Sequence, residues 1–126
     1  MAKSIHVRFE MPKDLVNKTY EIIETARDSG KVRKGANEVT KLIERSQAKF
    51  VVMAEDVQPE EILAHIPLLC EEKNIPYAYV PSKQELGTAA GLSVPTTSVA
   101  ITEYGKSKIM IESVVKKLGG GKKTEG

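Results

Sequence analysis

The residues best equipped for chemistry lie in one stretch, Arg33, Lys34, Gly35, Ala36, Asn37, Glu38, Val39, Thr40 and Lys41 (RKGANEVTK). From Ala36 onward the apolar residues Val39, Leu42 and Ile43 fall at helical spacing, which puts Asn37, Glu38 and Lys41 together on the exposed side of the first turns. Asn37 presents a donor and an acceptor, Glu38 accepts only, and Lys41 donates only. Guanine's edges carry N–H donors beside the O6 and N7 acceptors, so this trio has the chemistry to read guanine. Gly35 lets a nucleic-acid backbone come close, and the helix N-terminus offers unpaired N–H groups and positive potential to phosphate. Arg33 and Lys34 flank that turn as phosphate contacts. For Glu38 a plainer role stays open, that of a first-turn acid favoured by the helix dipole.

A second unusual element is the loop Gly91, Leu92, Ser93, Val94, Pro95, where two aliphatic residues stand among turn-forming ones. Leu92 and Val94 either pack beneath an unstacked base, a common mode of RNA recognition, or fold inward and seal the end of a sheet.

Enzyme constellations find little support. Cys70 and His65 are the obvious nucleophile and base, but they stand five residues apart on one expected helix, where their faces diverge. Cys70 inside Leu68-Leu69-Cys70 reads as a core residue. His6 sits in an N-terminal stretch without periodicity, and two histidines with one cysteine make no metal-ligand pattern. The glycines of LGTAAG (residues 86–91) do not form G-x-G-x-x-G and no Walker lysine follows them. No cofactor is expected.

The 126 residues carry 19 Lys and Arg against 17 Asp and Glu, a formal charge of only +2 that speaks against a polycation coating nucleic acid. That average conceals segregation. Residues 31–49 hold six basic and two acidic residues, or +4, and residues 55–76 hold six acidic ones and a single lysine, or −5. A basic segment followed at once by an acidic one suits a local site for an anionic ligand. The length fits one domain, the lone cysteine allows no internal disulfide, and no apolar stretch approaches a membrane span or a signal peptide. A cytoplasmic setting without membrane contact follows as the expectation.

Helical periodicity from Pro12 to a stop at Gly30 marks the first element, with residues 31–35 as a polar connector holding at most a strand residue or two. FVVMA (residues 50–54), YAYV (77–80) and SVAIT (98–102) read as strands. Residues 59–74 read as a helix interrupted at Pro67, with Ile62, Leu63, Ile66, Leu69 and Cys70 inward. Ser82-Lys83-Gln84-Glu85 matches a capping box opening a short helix to about Ala90, and residues 106–118 form the last helix. Residues 119–126 (GGGKKTEG) have no apolar residue and are expected to be a flexible tail behind a single domain of residues 1–118. Strands alternating with helices make the class α/β.

With RKGANEVTK, SKQELG (residues 82–87) and AGLSV (90–94) in place, the sequence resembles the archaeal kink-turn-binding ribosomal proteins of the L-seven-Ae family over about residues 12–118. FVVMAED (50–56) and PLLCEEK (67–73) carry the resemblance further in the same order. It implies a three-layer α-β-α sandwich around a small mixed four-stranded sheet. It also implies a non-enzymatic protein, monomeric when free, that binds kink-turns and kink-loops, in which sheared G·A pairs flank a bulge. The RNAs implied are rRNA of the large subunit, box C/D and H/ACA guide RNAs and ribonuclease P RNA. The implied partners are a Nop-domain scaffold protein with fibrillarin, and other ribosomal and ribonuclease P proteins. By the resemblance Asn37, Glu38 and Lys41 contact the guanines of the sheared pairs, with Arg33, Lys34 and Gly35 beside the backbone. Gln58, Ile62 and Lys83 match positions around the bulged nucleotides, Ile62 lying under an extruded base, and Leu92, Ser93 and Val94 match the loop capping the bulge. Eukaryotic relatives carry Arg at the Val94 position and Glu at that of Gln58. Relatives of the same fold that act as protein-interaction adaptors lack the full N-E-x-x-K set with the L-S-V loop, which this chain has.

Overall fold

The computed structural model describes residues 12–58 and 60–117; His6, Leu118 and the expected tail at residues 119–126 lie outside the described residues. Helix α1 (Lys13–Ser29) starts behind Pro12, whose fixed φ of −59° and missing N–H suit the position before a helix. It buries Leu15, Ile22, Ile23 and Ala26 on one face and stops at Gly30, whose N–H donates to the Ala26 carbonyl at 2.7 Å. Strand β1 (Lys31–Lys34), helix α2 (Ala36–Glu44) and strand β2 (Phe50–Ala54) follow. Then come a 3-10 turn at Glu60–Ile62, α3 (Ile66–Lys73), β3 (Tyr77–Val80), α4 (Lys83–Ala89), β4 (Ser98–Glu103), a second 3-10 turn at Gly105–Ser107, and α5 (Lys108–Lys117).

The sheet order is β1-β4-β2-β3, with β4 antiparallel to both β1 and β2 and β2 parallel to β3. Every residue of β2 is buried, so both faces of the sheet must be covered, and two helical layers do this. Helices α4 and α5 both pack on α1, and α2 packs on α3. The result is the expected three-layer α/β sandwich with a mixed four-stranded sheet. Because β1, β2 and β3 run one way and β4 the other, the segments leaving β1, β2 and β3 and the one entering β4 all meet at one end of the sheet.

Two expectations need correction. Residues 31–34 are a full edge strand rather than a connector, paired from Lys31 opposite Glu103 to Lys34 opposite Val99. An edge strand needs hydrogen bonds along one side only, so Lys31, Arg33 and Lys34 remain in solvent and leave no apolar alternation to read. The stretch 59–74 is not one interrupted helix. Pro67 stands in the first turn of α3, where its missing N–H has no partner to lose, and Asn74 closes α3 in the left-handed region at φ 60°. Helical spacing therefore does not carry across the break, and Ile62, expected to point inward, is 38% exposed, while Leu63, Ile66 and Cys70 are buried.

Ile101 stands opposite both Val32 and Phe50 and has no exposed surface. Ile101→Ala is expected to lower the unfolding free energy by about 3 kcal/mol. Ile109→Ala, at a residue 79% exposed, should change it by less than about 0.5 kcal/mol in the same urea titrations. Burial, and secondarily the neighbouring Glu71 carboxylate, push the Cys70 thiol up to about 12. At pH 8 a thiol reagent should accordingly label Cys70 far faster in unfolding urea than in the native protein; equal rates would contradict its place in the core.

Candidate nucleic-acid interface

At the shared end of the sheet, one oxygen ties two loops together. The Ser98 carbonyl, at the start of β4, accepts the Gly35 N–H at 3.0 Å and the Thr96 hydroxyl at 3.2 Å. Next to it the Ala54 N–H donates to the Thr97 carbonyl at 3.0 Å, and the Glu55 N–H donates to the Val80 carbonyl at 2.8 Å. Each segment leaving the sheet is thus fastened by its own backbone before it diverges.

Gly35 has φ 95° and ψ 142°, a conformation open mainly to glycine, and nothing lies within 4 Å of where a side chain would start. This turns the chain sharply from β1 into α2 and leaves the space before the helix clear. Asn37, Glu38 and Lys41 are all exposed on α2 while Val39, Leu42 and Ile43 are buried, as the spacing requires. Among the described residues none of the three side chains holds a hydrogen bond or ion pair. Arg33 and Lys34 are also exposed, but pleating sends successive side chains to opposite faces of β1, so the two cannot flank the trio from the same side.

Helix α2 is fastened to the segment carrying Ile62 by a bond that the residue pattern did not suggest. The Thr40 hydroxyl donates its one proton to the Ala36 carbonyl at 2.7 Å and lies 2.8 Å from His65 Nε2. With that proton committed to Ala36, Nε2 is the donor to the Thr40 oxygen. His65 at the head of α3 therefore serves as a positioning group, while Cys70 points into the core away from any such partner.

Lys83 is the second junction. Its N–H donates to Asp56 Oδ1 at 2.9 Å, its carbonyl accepts from the Thr96 N–H at 3.1 Å, and the Ser82 hydroxyl before it caps α4 by accepting from the Glu85 N–H at 3.1 Å. The half of the capping box that fixes the helix start is thus present. Through Asp56 and Thr96, Lys83 joins the loop that carries Gln58 to the loop that carries Leu92, Ser93 and Val94. That last loop is pressed against α4: a Cβ on Gly87 would stand 2.2 Å from the Val94 carbonyl oxygen, and the Leu92 N–H donates to the Gly87 carbonyl at 2.9 Å. The two aliphatic residues divide between the alternatives left open, Leu92 half-buried against the core and Val94 58% exposed. Gln58 and Ser93 are exposed and Lys83 is half-buried.

All twelve residues singled out from the sequence therefore belong to segments that converge at this end. For those that hold the segments together, Thr40, Asp56, His65, Gly87, Thr96 and Ser98, the sequence carried no signal of that role. The surface combines unpaired polar groups, a modest excess of cations and two exposed aliphatic side chains, Ile62 and Val94. Among the described residues no cluster of His, Cys, Asp or Glu could hold a metal ion, and no helix is long and apolar enough to cross a membrane.

The chain belongs to the ribosomal protein L7Ae/L30e/S12e/Gadd45 family, whose sequence profile matches residues 17–111. It is also similar to a solved structure, a 15.5 kD RNA-binding protein of Giardia lamblia, with a TM-score of 0.85 and 29% sequence identity over 94% of this chain and 98% of that one.

Gly87→Ala forces the Val94 backbone away from α4. It is expected to lower stability by about 1–3 kcal/mol and to speed amide hydrogen exchange at Leu92, whose partner is the Gly87 carbonyl. Unchanged exchange at Leu92 would show that the loop is held by something else.

Proposed function

We propose that this protein binds RNA without catalysing a reaction, and that its targets are kink-turns and kink-loops. The carrying observation is that Asn37, Glu38 and Lys41, with no internal partners among the described residues, share one end of the sheet with the exposed aliphatic surfaces of Ile62 and Val94. Membership of the family and likeness to a Giardia lamblia RNA-binding protein support RNA as the ligand class. In this reading the trio takes the guanines of the sheared G·A pairs, and Gly35 with Arg33 or Lys34 takes the adjoining backbone. Ile62, with Gln58 and Lys83 nearby, receives an extruded base, and Leu92, Ser93 and Val94 cover the bulge.

Specificity for the bent form follows from differential affinity. A free kink-turn exchanges between extended and kinked states, and only the kinked one presents guanine edges and an unstacked base at once. By extension the RNAs are rRNA of the large subunit, box C/D and H/ACA guide RNAs and ribonuclease P RNA. Modifying enzymes and scaffold proteins, the Nop-domain protein with fibrillarin among them, would assemble on the RNA once its geometry is set. The reading includes an archaeal, cytoplasmic protein that is monomeric when free.

Removal of an acid separates base reading from charge attraction. Glu38→Ala makes the protein more basic, so a binder working through phosphates alone would hold RNA more tightly. Base reading by Glu38 predicts instead a loss of at least about fivefold, the lower end for one good base contact. Titration of a labelled kink-turn RNA at fixed salt distinguishes the two, with equal or tighter binding by Glu38→Ala counting against the proposal. A control RNA with Watson–Crick pairs replacing the sheared ones should bind both proteins weakly, with Glu38→Ala no weaker than wild type.

A further inference from the structure

The opposite end of the sheet carries a second group of cations that the proposed site does not use. Lys31 opens β1, Arg45 ends α2, Lys49 precedes β2, and Lys106 and Lys108 follow β4, so strand direction brings all five to this end. All are exposed. The strands separate the two ends by about 15 Å, at roughly 3.3 Å per residue.

At the centre of the group is Tyr104. The Lys49 ammonium lies 6.0 Å from its ring centroid and that of Lys108 lies 5.6 Å from it. The ring is half-buried and packed on the core, so it is a fixed surface that gathers two like charges which would otherwise move apart. The backbone on either side is fixed as well. The Lys49 N–H donates to the Ile101 carbonyl at 2.6 Å, and the Lys106 N–H donates to the Ser29 hydroxyl at 2.8 Å. Among the described residues no carboxylate pairs with Lys49, Lys106 or Lys108, and the nearby Glu103 lies 3.9 Å from Lys31 in an exposed pair. Ile109, next to Lys108, is 79% exposed and serves no core role, which leaves apolar surface beside the cations. The acids Glu71 and Glu72, with Lys73 beside them, end α3 next to the β3 edge, so the excess of cations at this end lies toward β1 and β4.

We infer that the Lys49–Tyr104–Lys108 cluster, with Lys106, is a second RNA contact, taking the phosphate backbone of an unpaired strand while the far end of the sheet holds its folded target. Cations gathered on an aromatic ring and left without carboxylates keep their field for an outside polyanion. The exposed Ile109 suits the ribose or base face of such a strand. This extends the RNA-binding reading to a separate surface, and one molecule would then bridge two RNA segments.

The test uses the full chain saturated with kink-turn RNA and titrated with a fluorescein-labelled 12-mer of oligouridine. The wild-type protein should bind the oligomer without releasing the kink-turn. Lys49→Gln/Lys108→Gln should weaken oligouridine at least about fivefold and lower the salt slope by about 1.4, at roughly 0.7 per phosphate contact on a single strand. Kink-turn affinity should not change in that variant. Tyr104→Leu, which keeps an apolar filler, should weaken oligouridine binding as well. Should the wild type bind no kink-turn RNA, the same titration on the free chain still reads this surface, so failure of the first site and of the second remain distinct. The inference is overturned if oligouridine displaces the kink-turn RNA, if the double variant binds it as well as wild type, or if a polyaspartate peptide of equal charge binds as tightly as oligouridine.

Discussion

The end of the sheet that carries the candidate site depends on how one carbonyl is shared. Ser98 begins β4, the only strand that runs opposite to the other three, and its oxygen is held by the turn leaving β1 and by the loop entering β4. A buried carbonyl has two lone pairs, and both are used here. The consequence is geometric: α2, which carries the polar trio, and the loop of Leu92 to Val94 cannot shift independently. They share one buried acceptor atom at the end of the sheet. Pre-set geometry of this kind lets binding energy go into contacts rather than into ordering loops.

The acidic segment changes character in the folded chain. As sequence, residues 55–76 look like a solubilising counterweight to the basic stretch before them. In the fold, Asp56 accepts the Lys83 N–H from 27 positions away, and Glu71 accepts the Tyr77 hydroxyl at 2.5 Å, so one acid joins distant elements and the other ties α3 to the strand that follows it. The positive segment has the opposite fate, with its side chains left in solvent. Net charge near zero thus reflects a division of labour in which some acids fasten the scaffold and most cations face outward.

Much of the fold could be read from residues alone. Helices α1 and α2 follow from the recurrence of Leu15, Ile22, Ile23, Val39, Leu42 and Ile43; Pro12 and Gly30 delimit α1, and Ser82 announces α4. The apolar run of β2, rich in β-branched residues, reads best as a buried strand. Legibility fails where a local signal is weak or has two meanings. Strand β1 has a single apolar residue, Val32, because an edge strand takes its stability from pairing, and Pro67 starts a helix as readily as it breaks one. For the recognition surface, helical spacing alone brought Asn37, Glu38 and Lys41 together. That Gln58, Ile62, Lys83 and Val94 join them depends on strand order, and the bonds that hold them, Thr40 to His65 and Asp56 to Lys83, link residues 25 and 27 positions apart. No local pattern encodes pairs of that kind.

The two outer strands of the sheet have a consequence for the molecule in a crowded solution. An unpaired strand edge is a template onto which another chain can add its own strand. Here β1 presents Lys31, Arg33 and Lys34 on a strand of four residues, so a second copy meets its own positive charge at that edge. The other edge, β3, is equally short and lies between Pro76 and Pro81, neither of which has an N–H to extend the ladder. The cations of β1 thus act against a second strand as well, because their mutual repulsion opposes edge-to-edge addition of an identical chain.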